Sequence, residues 1–145
     1  MQTENQISQI LGGRKLTGHI LKGPMDVDRL IREGIPFSAG EHIKEALHLT
    51  DKEFANTLGI SKRTLSRLKK LSQKLSPVAS DRLYRITRIL VFAKNVLGGE
   101  RQAMEWLRRP QIGLDGGIPL NLLTTDAGTR EVEDLLGRIE YGVIS

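Results

Sequence analysis

The sequence predicts an all-α protein: a helical domain built around two short helices that meet at a sharp turn, followed by a small, mainly helical second domain. Three observations carry this. Apolar residues recur at three- and four-residue intervals, with no strong alternation of the kind a strand requires. Glycines and prolines fall between the periodic stretches. Ser, Thr or Asp stands where helix N-caps are wanted.

The 145 residues suffice for one ordinary domain or two very small ones. Such a chain buries roughly 70% of the surface it exposes unfolded, so it needs no metal or disulfide for stability. It contains no cysteine, which excludes disulfides, thiolate metal sites and thiol catalysis. No apolar run approaches the roughly 20 residues that cross a bilayer. The N-terminus lacks the basic-then-apolar order of a signal peptide. The expectation is a soluble, cytoplasmic protein without membrane contact.

Residues 1–25 carry scattered apolar residues and several glycines, and they read as a flexible or loosely docked segment. Asp26 can cap a short helix holding Val27, Leu30 and Ile31, and Gly34 ends it. Pro36 suits the start of a second helix that runs to about Leu49 with Ile43, Ala46 and Leu47 inward. Thr50-Asp51-Lys52-Glu53 has the form of a capping box, and Gly59 closes the helix it opens. After Ile60, Ser61 caps another helix with Leu65, Leu68 and Leu71 inward. Ser80 can cap a longer helix whose apolar stripe runs from Leu83 to Leu97, closed by Gly98-Gly99. A short helix with Ala103, Trp106 and Leu107 stops before Pro110, and Trp106 is expected in the core. Residues 112–119 hold at most one short strand, and Gly116-Gly117 reads as a tight turn. A last helix from about Ala127 to Tyr141 buries Val132, Leu135, Leu136 and Ile139. The domain limits that follow are 1–25, 26–97 and 98–145.

Charge is distributed unevenly along these elements. Residues 59–94 hold ten basic and one acidic side chain, whereas 1–58 hold seven and eight, and 95–145 hold five and eight. A positive middle between mildly negative flanks implies one surface for a polyanion and other surfaces for other work.

The positive stretch coincides with the pattern of a helix-turn-helix. Ala55 supplies the small residue at the helix crossing, and Gly59 supplies the turn. Phe54, Leu58, Ile60, Leu65 and Leu68 hold the pair together. The second helix would lie in the major groove of duplex DNA. Lys62, Arg63 and Arg67 can read guanine acceptors, while Ser61, Thr64 and Ser66 take bases or phosphates. Lys69 and Lys70 touch the backbone. Arg82, Arg85 and Arg88 either contact phosphates, pair with acidic groups or only solubilise a helix.

Nothing favours catalysis or a cofactor. His19, His42 and His48 are not at metal-ligand spacing with an acid pair, and no P-loop or G-x-S-x-G elbow appears. No catalytic residue and no metal site is assigned.

Seven short motifs, in order from about residue 30 to the end, together resemble antitoxins of the Xre/MbcA/ParS type, the partners of RES-domain toxins. They are Gly34-Ile35-Pro36, Ile60-Ser61-x-Arg63-Thr64-Leu65, Leu75-Ser76, Ser80-Asp81-Arg82-Leu83, Ala103-x-x-Trp106-Leu107, Gly116-Gly117-x-Pro119-Leu120-x-Leu122-Leu123 and Arg138-Ile139-x-Tyr141-Gly142. The resemblance implies an Xre-like helix-turn-helix domain, a C-terminal toxin-binding domain and a homodimer. It also implies a type II toxin-antitoxin system whose toxin consumes NAD, with the antitoxin blocking the toxin's active site and repressing the shared operon at operator double-stranded DNA. A site for NAD's diphosphate should present basic groups. The acidic C-terminal segment, with Glu131, Glu133, Asp134 and Glu140 and the carboxylate of Ser145, could fill it, with Tyr141, Val143 and Ile144 as apolar anchors. Alternatively, Tyr141 and Ile144 pack on their own domain. The competing function is a stand-alone dimeric helix-turn-helix transcriptional regulator with no toxin partner.

Overall fold

A computed structural model of the chain describes residues 2–18 and 20–142. It is all-α, and the chain divides into two compact units, Met1–Thr87 and Arg88–Ser145.

The first unit holds α1 (Gln2–Ile10), α2 (Arg14–Thr17), α3 (Pro24–Glu33), α4 (Phe37–Ala46), α5 (Asp51–Leu58), α6 (Lys62–Leu71) and the beginning of α7 (Pro77–Leu97). The N-terminal stretch, expected to be flexible or loosely docked, carries two helices here, and Ile7 and Leu11 have no exposed surface. Those two residues are one helical turn apart. Two well-placed apolar side chains hold a helix without building a period that sequence reading could detect.

α3 begins at Pro24, two residues before the expected cap, because proline fits a first helical turn. Asp26 lies inside that turn, and its carboxylate accepts the Lys22 amide at 2.9 Å. α4 ends at Ala46 rather than Leu49, and His48 takes a left-handed φ of 53°. The core gathers Phe37, Ile43, Phe54, Leu58, Leu83 and Ile86, all 4% exposed or less. The rings of Phe37 and Phe54 are tilted at 57° with centroids 6.4 Å apart.

The loop before α4 is tied to the loop before α7. Leu75 donates its amide to the Ile35 carbonyl at 2.8 Å, and Phe37 donates to the Gln73 carbonyl at 3.1 Å. Gly34 has φ 95°, and a Cβ there would strike the Leu75 carbonyl oxygen, so only glycine fits both demands. Ser80 was expected to cap α7, but the helix starts earlier. Pro77 opens it, and Ser76 Oγ accepts the Ala79 amide at 3.2 Å. Ser80 is fully buried. Its Oγ accepts the Ile35 amide at 2.8 Å and donates to the Leu75 carbonyl at 3.4 Å.

The second unit holds the remainder of α7, α8 (Glu100–Leu107), a 3₁₀ turn at Ile112–Leu114, α9 (Pro119–Leu122) and α10 (Asp126–Glu140). Ile89, Leu90, Val91, Ala93, Ala103, Leu107, Leu123, Val132, Leu135 and Leu136 are buried. Trp106, expected in the core, is only half-buried. Where a short strand was conceivable, the chain makes the 3₁₀ turn and one isolated bridge, Gln111 with Gly117. Asp115 and Gly116, at φ 54° and 81°, reverse the chain too tightly for a strand to extend. Thr125 caps α10 by accepting the Gly128 amide.

Ser80→Ala is expected to destabilise the chain by about 1–3 kcal/mol in urea unfolding, since it leaves the buried Ile35 amide without an acceptor.

Candidate functional site

α5 and α6 form the pair on which a DNA-binding reading depends, and each starts and stops for a local reason. Thr50 Oγ1 accepts the Glu53 amide at 3.1 Å, and Glu53 Oε1 accepts the Thr50 amide at 2.9 Å, completing the capping box. Gly59 adopts φ 72°, with its amide on the Asn56 carbonyl and the Ile60 amide on the Ala55 carbonyl. Ser61 Oγ accepts the Thr64 amide and donates to Thr64 Oγ1, both at 3.0 Å, and α6 begins. Ala55, Leu58, Leu65 and Leu68 are buried in the crossing.

At about 100° per residue, burial of Leu65 and Leu68 sets the outward face of α6. Arg63, Ser66, Arg67 and Lys70 lie opposite those leucines, and all four are exposed. Lys62 and Lys69 are exposed on one flank. Their charges, after the hydrogen bond and charge of Lys44, help hold the Asp51 carboxyl below the usual carboxylate range. Thr64 is half-buried on the other flank. Leu71, expected inward, is 56% exposed because it falls on that flank just before the left-handed residue Ser72. Of the predicted DNA-facing hydroxyls, Ser61 and Thr64 are joined to each other as the cap, whereas Ser66 projects outward.

The three arginines of α7 have three different neighbours. Arg85 pairs with Asp81 at 3.5 Å, and Arg88 reaches Glu133 on α10 at 2.8 Å. Arg82 lays its guanidinium against Gly59.

Two shallow grooves flank α6. One, of about 630 Å³, is lined by Lys52, Glu53, Ala55, Asn56, Ile60 and Lys62. The other, of about 580 Å³, includes Thr64, Arg67, Ser72, Gln73 and Lys74. Sequence reading did not select Lys52, Asn56 or Lys74. The first two are one turn apart on the exposed face of α5, a spacing that could have flagged them, and Lys74 follows three residues after the end of α6, next to the Leu75–Ile35 hydrogen bond.

In the second unit, Glu131, Asp134 and Tyr141 share one exposed stripe of α10 and the residue that ends it. Tyr141 is 82% exposed, so it does not pack on its own domain. Glu140 is also exposed but lies on the face of Glu133, whose carboxylate is held by Arg88. Val143, Ile144 and Ser145 fall outside the described residues. Among the described residues no group of three or more His, Asp or Glu side chains could hold a metal, and no helix is long and apolar enough to cross a membrane.

A capped, glycine-turned helix pair with its cations opposite its buried leucines defines a helix-turn-helix protein carrying a separate C-terminal helical domain. Residues 26–88 match the antitoxin Xre-like helix-turn-helix domain, and 92–142 match the antitoxin Xre/MbcA/ParS C-terminal toxin-binding domain. The chain is 36% identical over 94 residues to an antitoxin Xre of Yersinia enterocolitica, covering 64% of each protein. It is 28% identical over 120 residues to an antitoxin Xre of Photorhabdus laumondii, covering 82% of this chain and 81% of that one. It thus spans just under two thirds of the first relative's length and about four fifths of the second's. A crystal structure of the Mycobacterium tuberculosis MbcT–MbcA toxin–antitoxin complex contains a chain of the same fold, with TM-score 0.56 and 22% identity, over 75% of this chain and 96% of that one. The chain belongs to the Xre/MbcA/ParS antitoxin family. The family matched by the C-terminal residues is described by what it binds, a toxin.

Asp51→Asn is expected to lower stability at neutral pH by no more than about half a kcal/mol, the pair with Lys44 being exposed and screened. Because the folded carboxyl titrates low, its contribution is present above the ordinary carboxylate range and lost as pH falls through the folded value. The two unfolding curves should therefore converge in acid.

Proposed function

We propose that the chain is a cytoplasmic antitoxin with two binding surfaces: the α6 face for operator DNA, and the C-terminal domain for a RES-domain, NAD-consuming toxin whose active site it blocks. One observation carries the reading. The same chain holds a capped helix whose Arg63, Arg67 and Lys70 stand opposite its buried leucines, with Lys62 and Lys69 on one flank, and, separately, a domain that matches the toxin-binding family model. On this reading the antitoxin is a homodimer that represses its own operon. Its domains are the helix-turn-helix region at 26–97 and the toxin-binding region at 98–145.

For DNA, Arg63, Arg67 and Lys62 would contact base edges, with Ser66 beside them, while Lys69 and Lys70 lie against phosphates. Ser61 and Thr64 set the N-terminus of α6, and their remaining lone pairs face solvent or a base-edge donor. Lys52 and Asn56 suit the phosphates that the first helix of such a pair crosses.

For the toxin, a pocket that binds a diphosphate-bearing nucleotide is expected to be electropositive. Glu131 and Asp134 on the exposed stripe, with Tyr141 as the apolar anchor, complement such a pocket, and Glu140 on the face of Glu133 adds negative charge. Val143, Ile144 and the carboxylate of Ser145 would extend the contact.

Co-expression with the product of the adjacent reading frame tests the whole reading. That product is expected to arrest growth alone and to be neutralised by this chain. A harmless neighbour would favour a regulator without a toxin. Arg63→Ala and Arg67→Ala are each expected to cost about 1–3 kcal/mol of affinity for the upstream promoter duplex without unfolding the chain. Wild-type binding should fall on the order of 10³-fold between 50 and 200 mM salt if about six phosphates are neutralised. Deleting residues 142–145 is expected to weaken toxin neutralisation while leaving the promoter gel shift unchanged. Full neutralisation by the truncated chain would remove the C-terminal segment from the interface.

A further inference from the structure

We infer that Arg82 is a positioning residue of the DNA-binding unit: its guanidinium, seated on the bare backbone of Gly59, fixes the turn that aims α6. The inference rests on the DNA-binding reading for its function, and on the packing at Gly59 for its structure.

The guanidinium occupies the space that a side chain at Gly59 would need. A Cβ built on Gly59 would overlap the Arg82 guanidinium, with Cζ 2.8 Å and Nε 3.5 Å from it. Gly59 therefore meets two demands at once, a left-handed φ of 72° and room for a planar cation from another helix. That cation lies at the C-terminal end of α5, where the last carbonyls carry the negative end of the helix dipole. A guanidinium is stabilised at such an end without a specific hydrogen bond.

The neighbouring residues of α7 explain why Arg82 arrives there with little freedom. Leu83 packs on Gly40 of α4, where a Cβ would come within 3.2 Å of Leu83 Cδ2 and 3.4 Å of the Phe54 ring. Ser80 is bonded to the Ile35 amide. Asp81, the carboxylate beside Arg82 in sequence, is paired with Arg85. Successive residues of α7 thus grip α4, the loop before it and the α5–α6 turn. The brace acts on the angle between α5 and α6, and through that angle on where Arg63 and Arg67 point.

This role predicts effects that a phosphate contact or a general stabiliser would not produce. Arg82→Ala should weaken binding to the promoter duplex upstream of this reading frame by roughly fivefold at a temperature where the variant stays folded. Binding to an unrelated duplex should be unchanged, and so should the slope of log affinity against log salt. Loss of a phosphate contact would lower that slope by about one and weaken both duplexes alike, overturning the inference. Arg82→Lys should restore only part of the promoter affinity, because an ammonium lacks the planar, delocalised group that sits beside Gly59. Full restoration would also overturn it.

A second arm needs no DNA. Gly59→Ala should lower the melting temperature, and by about 4 °C less when Arg82 is already alanine, since the backbone strain persists while the overlap is relieved. Equal losses in the two backgrounds would mean that Arg82 swings away freely and braces nothing. If the wild-type chain binds neither duplex, the DNA reading fails while this cycle still decides the contact.

Discussion

The left-handed turn at Gly59 is the constraint from which the rest of the binding surface follows. It forces α5 to end within one residue, leaves only Ile60 before the Ser61 cap, and so sets the rotation of α6 about its own axis. With Leu65 and Leu68 committed to the crossing, helix periodicity leaves Arg63, Arg67 and Lys70 no orientation except outward. Their charge would be costly to bury and cheap to solvate, so packing and electrostatics select the same rotation. The cations are gathered on one surface as a by-product of burying two leucines.

That turn is held from outside the pair. The start of α7 supplies a buried hydroxyl at Ser80, an apolar contact at Leu83 and a guanidinium at Arg82, each to a different part of the first unit. A two-helix unit of eight and ten residues is too short to persist alone in water. Most of its stability must come from such tertiary contacts, which is why residues remote from α6 in sequence bear on what α6 can do. The second unit uses the same economy on a smaller scale. There the Arg88–Glu133 bond joins α7 to α10 and withdraws one carboxylate from an otherwise exposed acidic helix.

The division of the chain into a basic first unit and an acidic second one suits two partners of opposite character. On the proposed reading, a duplex, as a dense polyanion, would attract the α6 face over several ångströms, with strong dependence on salt. A protein partner is recognised at shorter range, by shape and a few anchors, and Tyr141, which stands almost wholly in solvent, would be one on the proposed reading.

The sequence alone determined the elements whose causes are local: the capping box at Thr50, the glycine stop at Gly59, the Ser61 cap, the α6 stripe and the length of α10. Each depends on interactions within four residues, so spacing is sufficient to read it. Motif order added the family, because several weak motifs in the right succession are jointly specific. Tertiary structure alone decided the fates of Arg82 and Arg88, which meet Gly59 and Glu133, whereas the Asp81–Arg85 pair is a four-residue spacing on one helix. It likewise decided that Ser80 serves the Ile35 amide rather than its own helix and that two apolar residues suffice to dock α1. These outcomes turn on which groups far apart in the chain come within hydrogen-bonding or van der Waals reach. No period or propensity along the sequence encodes that proximity.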